Sequence, residues 1–294
     1  MKPLLEVKGL SKSYVLHRGW WGRGRQELKA VDDVSFSIRP GEQLGLVGES
    51  GCGKSSVGEL LVRLIEPDRG TILYRGEDLT ALGQRALKPF RKEMQIVFQD
   101  PFASLNPRLT IGETLEEPII VHGIAGSAAE RRNKVRELLE LVGLPGSATA
   151  QYPHEFSGGQ RQRISIARAL ATGPKFIVAD EAVSSLDVSI QAQVLSLIRS
   201  LQRDLGLSML FISHDLGAVR YISDRIAVMY LGRIVEIAPA DELFKQPAHP
   251  YTRTLMTSIP SLRAARRSTR DITTGEMPSP LNPPSGCHFR TRCP

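Results

Sequence analysis

A glycine-rich turn between a short apolar strand and an amphipathic helix constrains this chain more than any other feature. Residues 43–47 form an apolar run of strand length, and 54–65 repeat apolar side chains at helical spacing. The turn between them reads Gly48-Glu49-Ser50-Gly51-Cys52-Gly53-Lys54-Ser55. Glycines let backbone N–H groups turn toward an anion, and the helix N-terminus adds partial positive charge. The pattern therefore predicts a phosphate loop.

Side chains in this turn suit a nucleoside triphosphate. Lys54 can reach the β- and γ-phosphates, and the hydroxyl group of Ser55 can ligate Mg²⁺. Cys52 occupies a position that the motif leaves free, so we interpret it as a small side chain in a turn. The alternative is a plain glycine turn with a surface lysine, but the flanking strand and helix favour the phosphate loop. The loop residues expected to bind the nucleotide are Ser50, Gly51, Cys52, Gly53, Lys54, Ser55 and Ser56.

A second apolar run, residues 175–180, ends in two consecutive carboxylates. Asp180 is placed to hold a metal ion through water, and Glu181 is placed to orient and polarise an attacking water molecule. A carboxylate pair after a strand is common and would be weak evidence alone. Downstream of a phosphate loop, it predicts hydrolysis of the nucleotide.

Composition and charge limit the class of protein. The 294 residues are 41% hydrophobic and 23% charged, as in globular proteins with a packed core. No apolar run reaches the roughly 18 residues of a membrane span, and the stretch Met1-Lys2-Pro3-Leu4-Leu5-Glu6 meets a charge too early to be a signal peptide. The three cysteines do not suggest a disulfide framework, which favours a reducing cytosol.

The net charge of +7 is concentrated in two segments. Residues 260–294 carry six arginines against two carboxylates, and residues 17–29 carry four cations against one carboxylate, so the rest of the chain is neutral. A nucleic-acid site would more often spread as a basic stripe over the fold. We therefore expect no nucleic-acid partner, and contacts of these segments with protein or anionic lipid headgroups.

The remaining pattern predicts an α/β fold. Strands at Leu4–Leu10 and Val34–Ile38 flank the basic insert 17–29, and later strands alternate with helices, which favours a mainly parallel sheet. Prolines break up residues 101–156, where a helical period at 128–142 predicts an inserted helical subdomain. Residues 260–294 have no period and are expected to form an extended tail.

Downstream of this subdomain, Phe156-Ser157-Gly158-Gly159-Gln160 resembles the signature of ATP-binding cassette (ABC) proteins, with Phe156 where leucine is commoner. With the phosphate loop and Asp180-Glu181, residues 4–260 resemble the ATP-binding subunit of an ABC transporter. The resemblance implies a P-loop ABC ATPase core with a mixed, mainly parallel sheet, flanking helices and an N-terminal antiparallel β subdomain. It implies a nucleotide-binding domain over 1–260, with its helical subdomain at about 101–156, and a C-terminal extension over 261–294.

The resemblance also implies roles for single residues. Tyr14 would stack on adenine, Gln99 would reach Mg²⁺ and the attacking water, and His214 would touch the γ-phosphate. Taken singly, these could be a strand-edge aromatic, a surface turn and a capping or core histidine; their order along the chain favours the functional interpretation. The implied catalytic residues are Glu181, His214 and Gln99. The implied metal ligands are Ser55, Gln99 and Asp180, for the cofactors ATP and Mg²⁺.

The signature further implies a dimer. In the family, Ser157, Gly158, Gly159 and Gln160 close over ATP held on another subunit's phosphate loop, giving head-to-tail pairing, and Ser185-Leu186-Asp187 contacts the opposite subunit. Free N–H groups at the start of the expected helix, residues 161–170, suit a γ-phosphate.

Several stretches resemble the bacterial dipeptide, oligopeptide and nickel importer ATPases: residues 99–108, 186–194, 249–252 and 278–287. The tail is most similar to the F-type subunit of oligopeptide and dipeptide permeases. The implied partners are a paralogous ATPase, two membrane permease subunits and, indirectly, an extracytoplasmic binding protein, with the chain peripheral on the cytoplasmic face of the inner membrane. Ala182 stands where proline is common. Relatives usually run on beyond the position of Pro294, which indicates a truncated end.

Some alternatives stay open. The transported solute could be nickel, glutathione or a sugar instead of a peptide, and the pairing could be with a second copy. The chain could instead be an ATPase acting on nucleic acid or ribosomes, or an accessory ATPase of an enzyme complex. Cys287 and Cys293 could hold a metal or iron–sulfur cluster with other cysteines, although a pair of reduced thiols is favoured. Trp20 and Trp21 lie in an enlarged hairpin loop or contact lipid headgroups or the permease.

Overall fold

The computed structural model describes residues 2–16, 26–257 and 278–294. Trp20 and Trp21, and residues 258–277, which include the first part of the predicted tail, lie outside the described residues. The strands are β1 (Leu5–Leu16), β2 (Gln26–Ile38), β3 (Gln43–Val47), β4 (Arg69–Tyr74), β5 (Glu77–Asp78), β6 (Met94–Val97), β7 (Phe176–Asp180), β8 (Ser208–Ile212), β9 (Arg225–Tyr230) and β10 (Arg233–Pro239). The helices are α1 (Lys54–Leu61), α2 (Lys88–Glu93), α3 (Pro101–Ser104), α4 (Ile111–Val121), α5 (Ala128–Leu141), α6 (Gly158–Leu170), α7 (Val188–Leu205), α8 (Leu216–Ile222), α9 (Ala240–Lys245) and α10 (Pro250–Thr257).

The chain divides into two compact units, and the first comprises Met1–Ala81 and Phe211–Pro294. Its N-terminal part is an antiparallel sheet in the order β2-β1-β4-β5. Strand β1 pairs on both edges, so that Leu5 lies opposite Ile38 on one side and Tyr74 on the other. In the same unit β3 pairs with β9 in parallel, and β10 adds to β9 in the antiparallel sense.

The second unit is Leu82–Leu210. Strands β6 and β7 pair in parallel, with Met94 opposite Phe176, and β7 is buried along its whole length. A strand buried on both faces needs apolar side chains at every position, which explains the run Phe-Ile-Val-Ala before Asp180. The antiparallel N-terminal sheet, the parallel strand pairs and the helices confirm the predicted mixed, mainly parallel α/β class.

Helices α4, α5 and α6 of the second unit each begin with a capping box. The N-cap side chain accepts from the N–H three residues on, and the acidic or amide side chain at that position reaches back to the N-cap N–H. The pairs are Thr110 with Glu113, Ser127 with Glu130, and Ser157 with Gln160. This capping fixes where α4, α5 and α6 start.

Two helices differ from the sequence expectation at one end. Helix α1 ends at Leu61 instead of continuing to residue 65, because Arg63 adopts a left-handed φ of 54° that a helix cannot accommodate. Helix α6 begins at Gly158 instead of residue 161, because the capping box includes both glycines of the signature. Among the described residues, no helix combines the length and the apolar character needed to cross a membrane.

Strand β3, which leads into the glycine-rich turn, lies very close to helix α8. A Cβ atom on Gly45 would lie 2.4 Å from Val219 Cγ1 and 2.6 Å from Ser223 Oγ, so only glycine permits this approach. We expect Gly45→Ala to destabilise the protein by about 1–3 kcal/mol through overpacking. Thermal or urea unfolding measures the loss. The control is Gly83→Ala, since a Cβ on Gly83 meets nothing within 4 Å; equal effects in both variants would contradict this packing argument.

Candidate active site

The glycine-rich turn of the first unit has the backbone that an anion site requires. The N-cap of helix α1 is Gly53, whose φ of 104° is disfavoured for other residues. A Cβ at Gly53 would also lie 1.9 Å from the carbonyl oxygen of Ala30, so the turn can close only on glycine here. Within the part of the chain that the structure describes, no side chain caps α1. The first N–H groups of a helix have no intrahelical acceptor, so those of α1 suit a phosphate.

Lys54 is folded into this turn. Its side chain is only 4% exposed, and Nζ donates to the carbonyl oxygens of Gly48, at 2.9 Å, and Glu49, at 3.0 Å. Nζ also lies 4.0 Å from Sγ of Cys52, a side chain that is 1% exposed. Burial raises the pKa of the Cys52 thiol, so it remains protonated at neutral pH. Ser55, the expected metal ligand, is exposed, and Ser56 is half-buried.

Tyr14 and His214 lie on different elements of the first unit. Tyr14 is half-buried on β1, opposite Leu28 of β2, and Lys12 Nζ lies 5.9 Å from its ring centroid. His214 is exposed between β8 and the N-cap of α8. Its backbone position is fixed on one side by buried Ser213, whose N–H donates to the Leu46 carbonyl oxygen of β3 at 3.2 Å.

Asp215, which is not among the residues that the motifs predict, fixes the other side of His214. Its Oδ1 accepts from the N–H groups of Gly217, at 2.8 Å, and Ala218, at 3.2 Å. An aspartate directly before an apolar helical run is a recognisable N-cap signal, so the sequence contained this information.

In the second unit the structure brings Gln99 and Glu181 together. Gln99 Nε2 donates to Glu181 Oε2 at 3.1 Å, across 82 residues of sequence. Glu181 has a left-handed φ of 45°, and its carbonyl oxygen accepts from Ser184 N at 3.1 Å and Ser184 Oγ at 3.0 Å. Asp180, one residue earlier, is 7% exposed. The turn thus gives the two neighbouring carboxylates different environments. Asp180 is buried at the end of β7, and Glu181 is held against the side-chain amide of Gln99.

The signature residues form the start of α6. Ser157 Oγ accepts from Gln160 N at 3.3 Å, and Gln160 Oε1 accepts from Ser157 N at 2.9 Å. The serine hydroxyl keeps its own hydrogen for another acceptor, because a hydroxyl group can donate and accept at once. The N–H groups of Gly158 and Gly159 have no acceptor within the helix. A Cβ at Gly159 would lie 2.3 Å from Ile190 Cγ2, so this turn is packed against α7.

The segment before α7 ends in a capped turn with an exposed apolar residue. Asp187 Oδ1 accepts from Ile190 N at 3.0 Å and from Ser189 Oγ at 2.7 Å. The bond from Ile190 N, together with that from Ser189, lowers the pKa of Asp187. Val188, next to it, is 82% exposed.

Glu49 had no assigned role from sequence, yet several of its atoms are bound. Its N–H donates to the hydroxyl oxygen of Tyr251, on α10, at 3.0 Å. Its carboxylate accepts from Arg292 Nη1, with 3.2 Å to each oxygen. The sequence marks residues 249–252 only by their resemblance to importer ATPases, and no local pattern connects residue 49 to residue 292.

Comparison with known proteins agrees with these motifs. The ABC transporter family model matches residues 31–184, and the family model described as "Oligopeptide/dipeptide transporter, C-terminal region" matches 235–294. The oligopeptide transport ATP-binding protein AppF of Bacillus subtilis is 52% identical over 100% of this chain and 90% of its own length. A Brucella ovis protein provisionally named a peptide import ATP-binding protein is 56% identical over 99% of this chain and 90% of its own.

Among solved structures, the ATP-binding cassette MJ0796, as a dimer in a post-hydrolysis state bound to ADP and Pi, is 28% identical to this chain. The superposition has a TM-score of 0.72 and covers 80% of this chain and 98% of the cassette. The family matches span the phosphate loop, the signature, the carboxylate pair and the tail. The chain therefore belongs to the ABC transporter family, as an ATP-binding subunit of the oligopeptide/dipeptide type.

Proposed function

We propose that this chain hydrolyses ATP to drive import of peptides through a membrane permease, as one half of a head-to-tail ATPase dimer. The observation that carries the proposal is the joint presence of the complete ABC motif set and a C-terminal segment of the oligopeptide/dipeptide type over 235–294. The motifs supply the ATPase, and the C-terminal match supplies the kind of transporter. The names of AppF and of the Brucella ovis protein support the same substrate class.

For the nucleotide, the proposal assigns ATP to the phosphate loop and adenine to Tyr14. Mg²⁺ fits the donor types of the expected ligands, because the Ser55 hydroxyl, the Gln99 amide and the Asp180 carboxylate all offer the oxygen atoms that this hard cation prefers. The metal would neutralise charge on the phosphates. Glu181 orients and polarises the attacking water, with Gln99 holding its carboxylate, and His214 contacts the γ-phosphate. Catalysis is thus mostly positioning and charge neutralisation.

The dimer follows from what each subunit leaves uncovered. The start of α6 offers N–H groups and the Ser157 hydroxyl for a phosphate on another subunit. The stretch Ser185-Leu186-Asp187, which the resemblance places against the opposite subunit, lies beside Val188, which is 82% exposed. The cassette MJ0796 dimerises, which supports the same pairing for this chain. The resemblance to F-type subunits favours a paralogous ATPase as the partner over a second copy.

The remaining parts of the proposal concern the assembly. Residues 1–260 form the nucleotide-binding domain, and the segment around 100–156 forms the surface that receives the coupling helices of the permease. The chain is peripheral on the cytoplasmic face of the inner membrane, and the extracytoplasmic binding protein acts through the permease. The same machinery serves equally for nickel, glutathione or another small solute. The C-terminal match favours an importer over a non-transport accessory ATPase.

Replacing Glu181 by glutamine tests the assigned base. The amide keeps the shape of the side chain but cannot polarise water, so we expect ATP binding to persist while hydrolysis falls by at least about 100-fold. Turnover measured with radiolabelled ATP, alongside binding by calorimetry, separates the two effects. Glu140→Gln, an exposed glutamate on α5, serves as the control and should hydrolyse ATP normally. Normal turnover by Glu181→Gln would refute the assignment.

The phosphate role of the signature can be separated from its capping role. Ser157→Ala and Ser127→Ala each remove an N-cap serine from a capping box, and each should cost about 1 kcal/mol of stability. Only Ser157→Ala should also abolish the ATP-dependent dimer, when both are made in the Glu181→Gln background. Light scattering of each variant mixed with the paralogous ATPase, with and without ATP, measures the dimer. If Ser127→Ala disrupts the dimer to the same extent, the signature acts only as a cap.

Co-purification from detergent tests the transporter itself. Affinity capture of the full chain from solubilised membranes should recover two permease subunits and a second ATPase at stoichiometric amounts. ATP hydrolysis by the captured complex should rise when the cognate binding protein and a peptide are added. Capture of soluble enzyme subunits without any permease would instead favour the accessory ATPase.

A further inference from the structure

The C-terminal segment reaches the phosphate loop. Phe289 is 1% exposed and packs against Tyr230, with ring centroids 5.3 Å apart, and against Tyr251, at 5.5 Å. His288 is 8% exposed, and its Nδ1 lies 3.2 Å from the Leu231 carbonyl oxygen, in the turn between β9 and β10. These two buried side chains anchor residues 287–293, which we call the C-terminal strap, on the first unit.

The anchored strap places a cation on the loop. The Arg292 side chain is 10% exposed and Nη1 bridges both carboxylate oxygens of Glu49, the second residue of the glycine-rich turn, at 3.2 Å each. Glu49 is also fixed through its main chain, since its N–H donates to the hydroxyl oxygen of Tyr251 and its carbonyl oxygen accepts from Lys54 Nζ. Burial raises the pKa of Tyr251, so its hydroxyl group stays neutral. Glu49 is therefore held by α10, by the strap and by the lysine of the loop.

The ion pair of Arg292 with Glu49 changes the net charge that the phosphate loop offers to a nucleotide. Without Arg292, the carboxylate of Glu49 and the ammonium group of Lys54 would balance, and the loop would offer an anionic triphosphate no net side-chain charge. Arg292 neutralises Glu49 and leaves the charge of Lys54 in excess. The contact is partly buried, so solvent screens it less than a surface pair.

We propose that Arg292, on the C-terminal strap, is a positioning residue for the nucleotide site: it holds and neutralises Glu49 and so prepares the phosphate loop for ATP. Arg292 acts through Glu49 and does not need to touch the nucleotide. The proposal uses only binding of nucleotide to the phosphate loop, so it stands or falls independently of the transported solute.

The first test is the nucleotide affinity of this chain, measured by calorimetry with Mg²⁺ and a non-hydrolysable ATP analogue. We expect Arg292→Ala to raise the dissociation constant about fivefold or more, the size of a typical coupling between two sites. The matched control is Arg290→Ala, an exposed arginine two residues away on the same strap, which should bind as the wild type does. Arg292→Lys should recover most of the affinity, because both contacts to Glu49 come from one nitrogen atom.

A second variant separates charge neutralisation from a general loss of structure. If Arg292 acts by neutralising Glu49, then Glu49→Gln in the Arg292→Ala background removes the unpaired carboxylate and should restore affinity toward the wild-type value. Thermal unfolding of the same variants reports their stability. Equal affinity of Arg292→Ala and Arg290→Ala, or a double variant weaker than Arg292→Ala alone, would overturn the proposal.

Thermodynamic linkage between nucleotide binding and docking of the strap allows an independent test by hydrogen exchange. If the strap favours nucleotide binding, nucleotide must stabilise the docked strap by the same factor. The amides of Arg290 and Arg292 donate to the carbonyl oxygens of Cys287, at 3.1 Å, and Phe289, at 2.9 Å, so their hydrogen exchange reports opening of the strap. Addition of the analogue should slow this exchange in the wild type and not in Glu49→Gln with Arg292→Ala. Unchanged exchange in the wild type would contradict the coupling.

Discussion

The phosphate loop depends on the buried ammonium group of Lys54, which begins α1 and reaches back to the turn that follows β3. Moving such a charge out of water costs on the order of several kcal/mol unless hydrogen bonds compensate it. Lys54 obtains this compensation from the carbonyl oxygens of Gly48 and Glu49. Both carbonyl groups must then point inward, which forces the chain to curl back over the start of α1. The left-handed Gly53 makes that reversal possible.

The outer side of the loop is held by parts of the chain that are remote in sequence. Gly232 N–H, from the turn between β9 and β10, donates to the Cys52 carbonyl oxygen at 2.9 Å. Tyr251 and Arg292 hold Glu49 from α10 and the C-terminal strap. The carboxylate of Glu236 in turn fixes the start of α10, accepting from the N–H groups of Ala248, at 2.8 Å, and His249, at 2.9 Å. The last third of the chain thus determines the environment of a motif that lies near its start.

The sequence predicted elements well where one local pattern determined them. Strand β3 has the predicted bounds, because its apolar run lies between a charged residue and the glycine-rich turn, which leaves little choice. The sequence expectation places the start of α6 three residues too late, since consecutive glycines are typical of a loop. The capping box of Ser157 and Gln160 was the signal that could have corrected this. The contact of Arg292 with Glu49 joins residues 243 apart, and no periodicity or spacing reports a pairing at such distance.

Glu181, which follows β7, likewise has a conformation that the sequence does not predict. The motif identified Glu181 as the expected base, but not its conformation. A left-handed backbone at a residue other than glycine costs on the order of 1–3 kcal/mol and persists only where surrounding contacts impose it. Here the two bonds from Ser184 and the burial of Ala182, which is 2% exposed, fix the turn. The strained turn holds the Glu181 carboxylate at 3.1 Å from Gln99 Nε2, so part of the stability of the second unit is given up for a defined orientation of the expected base.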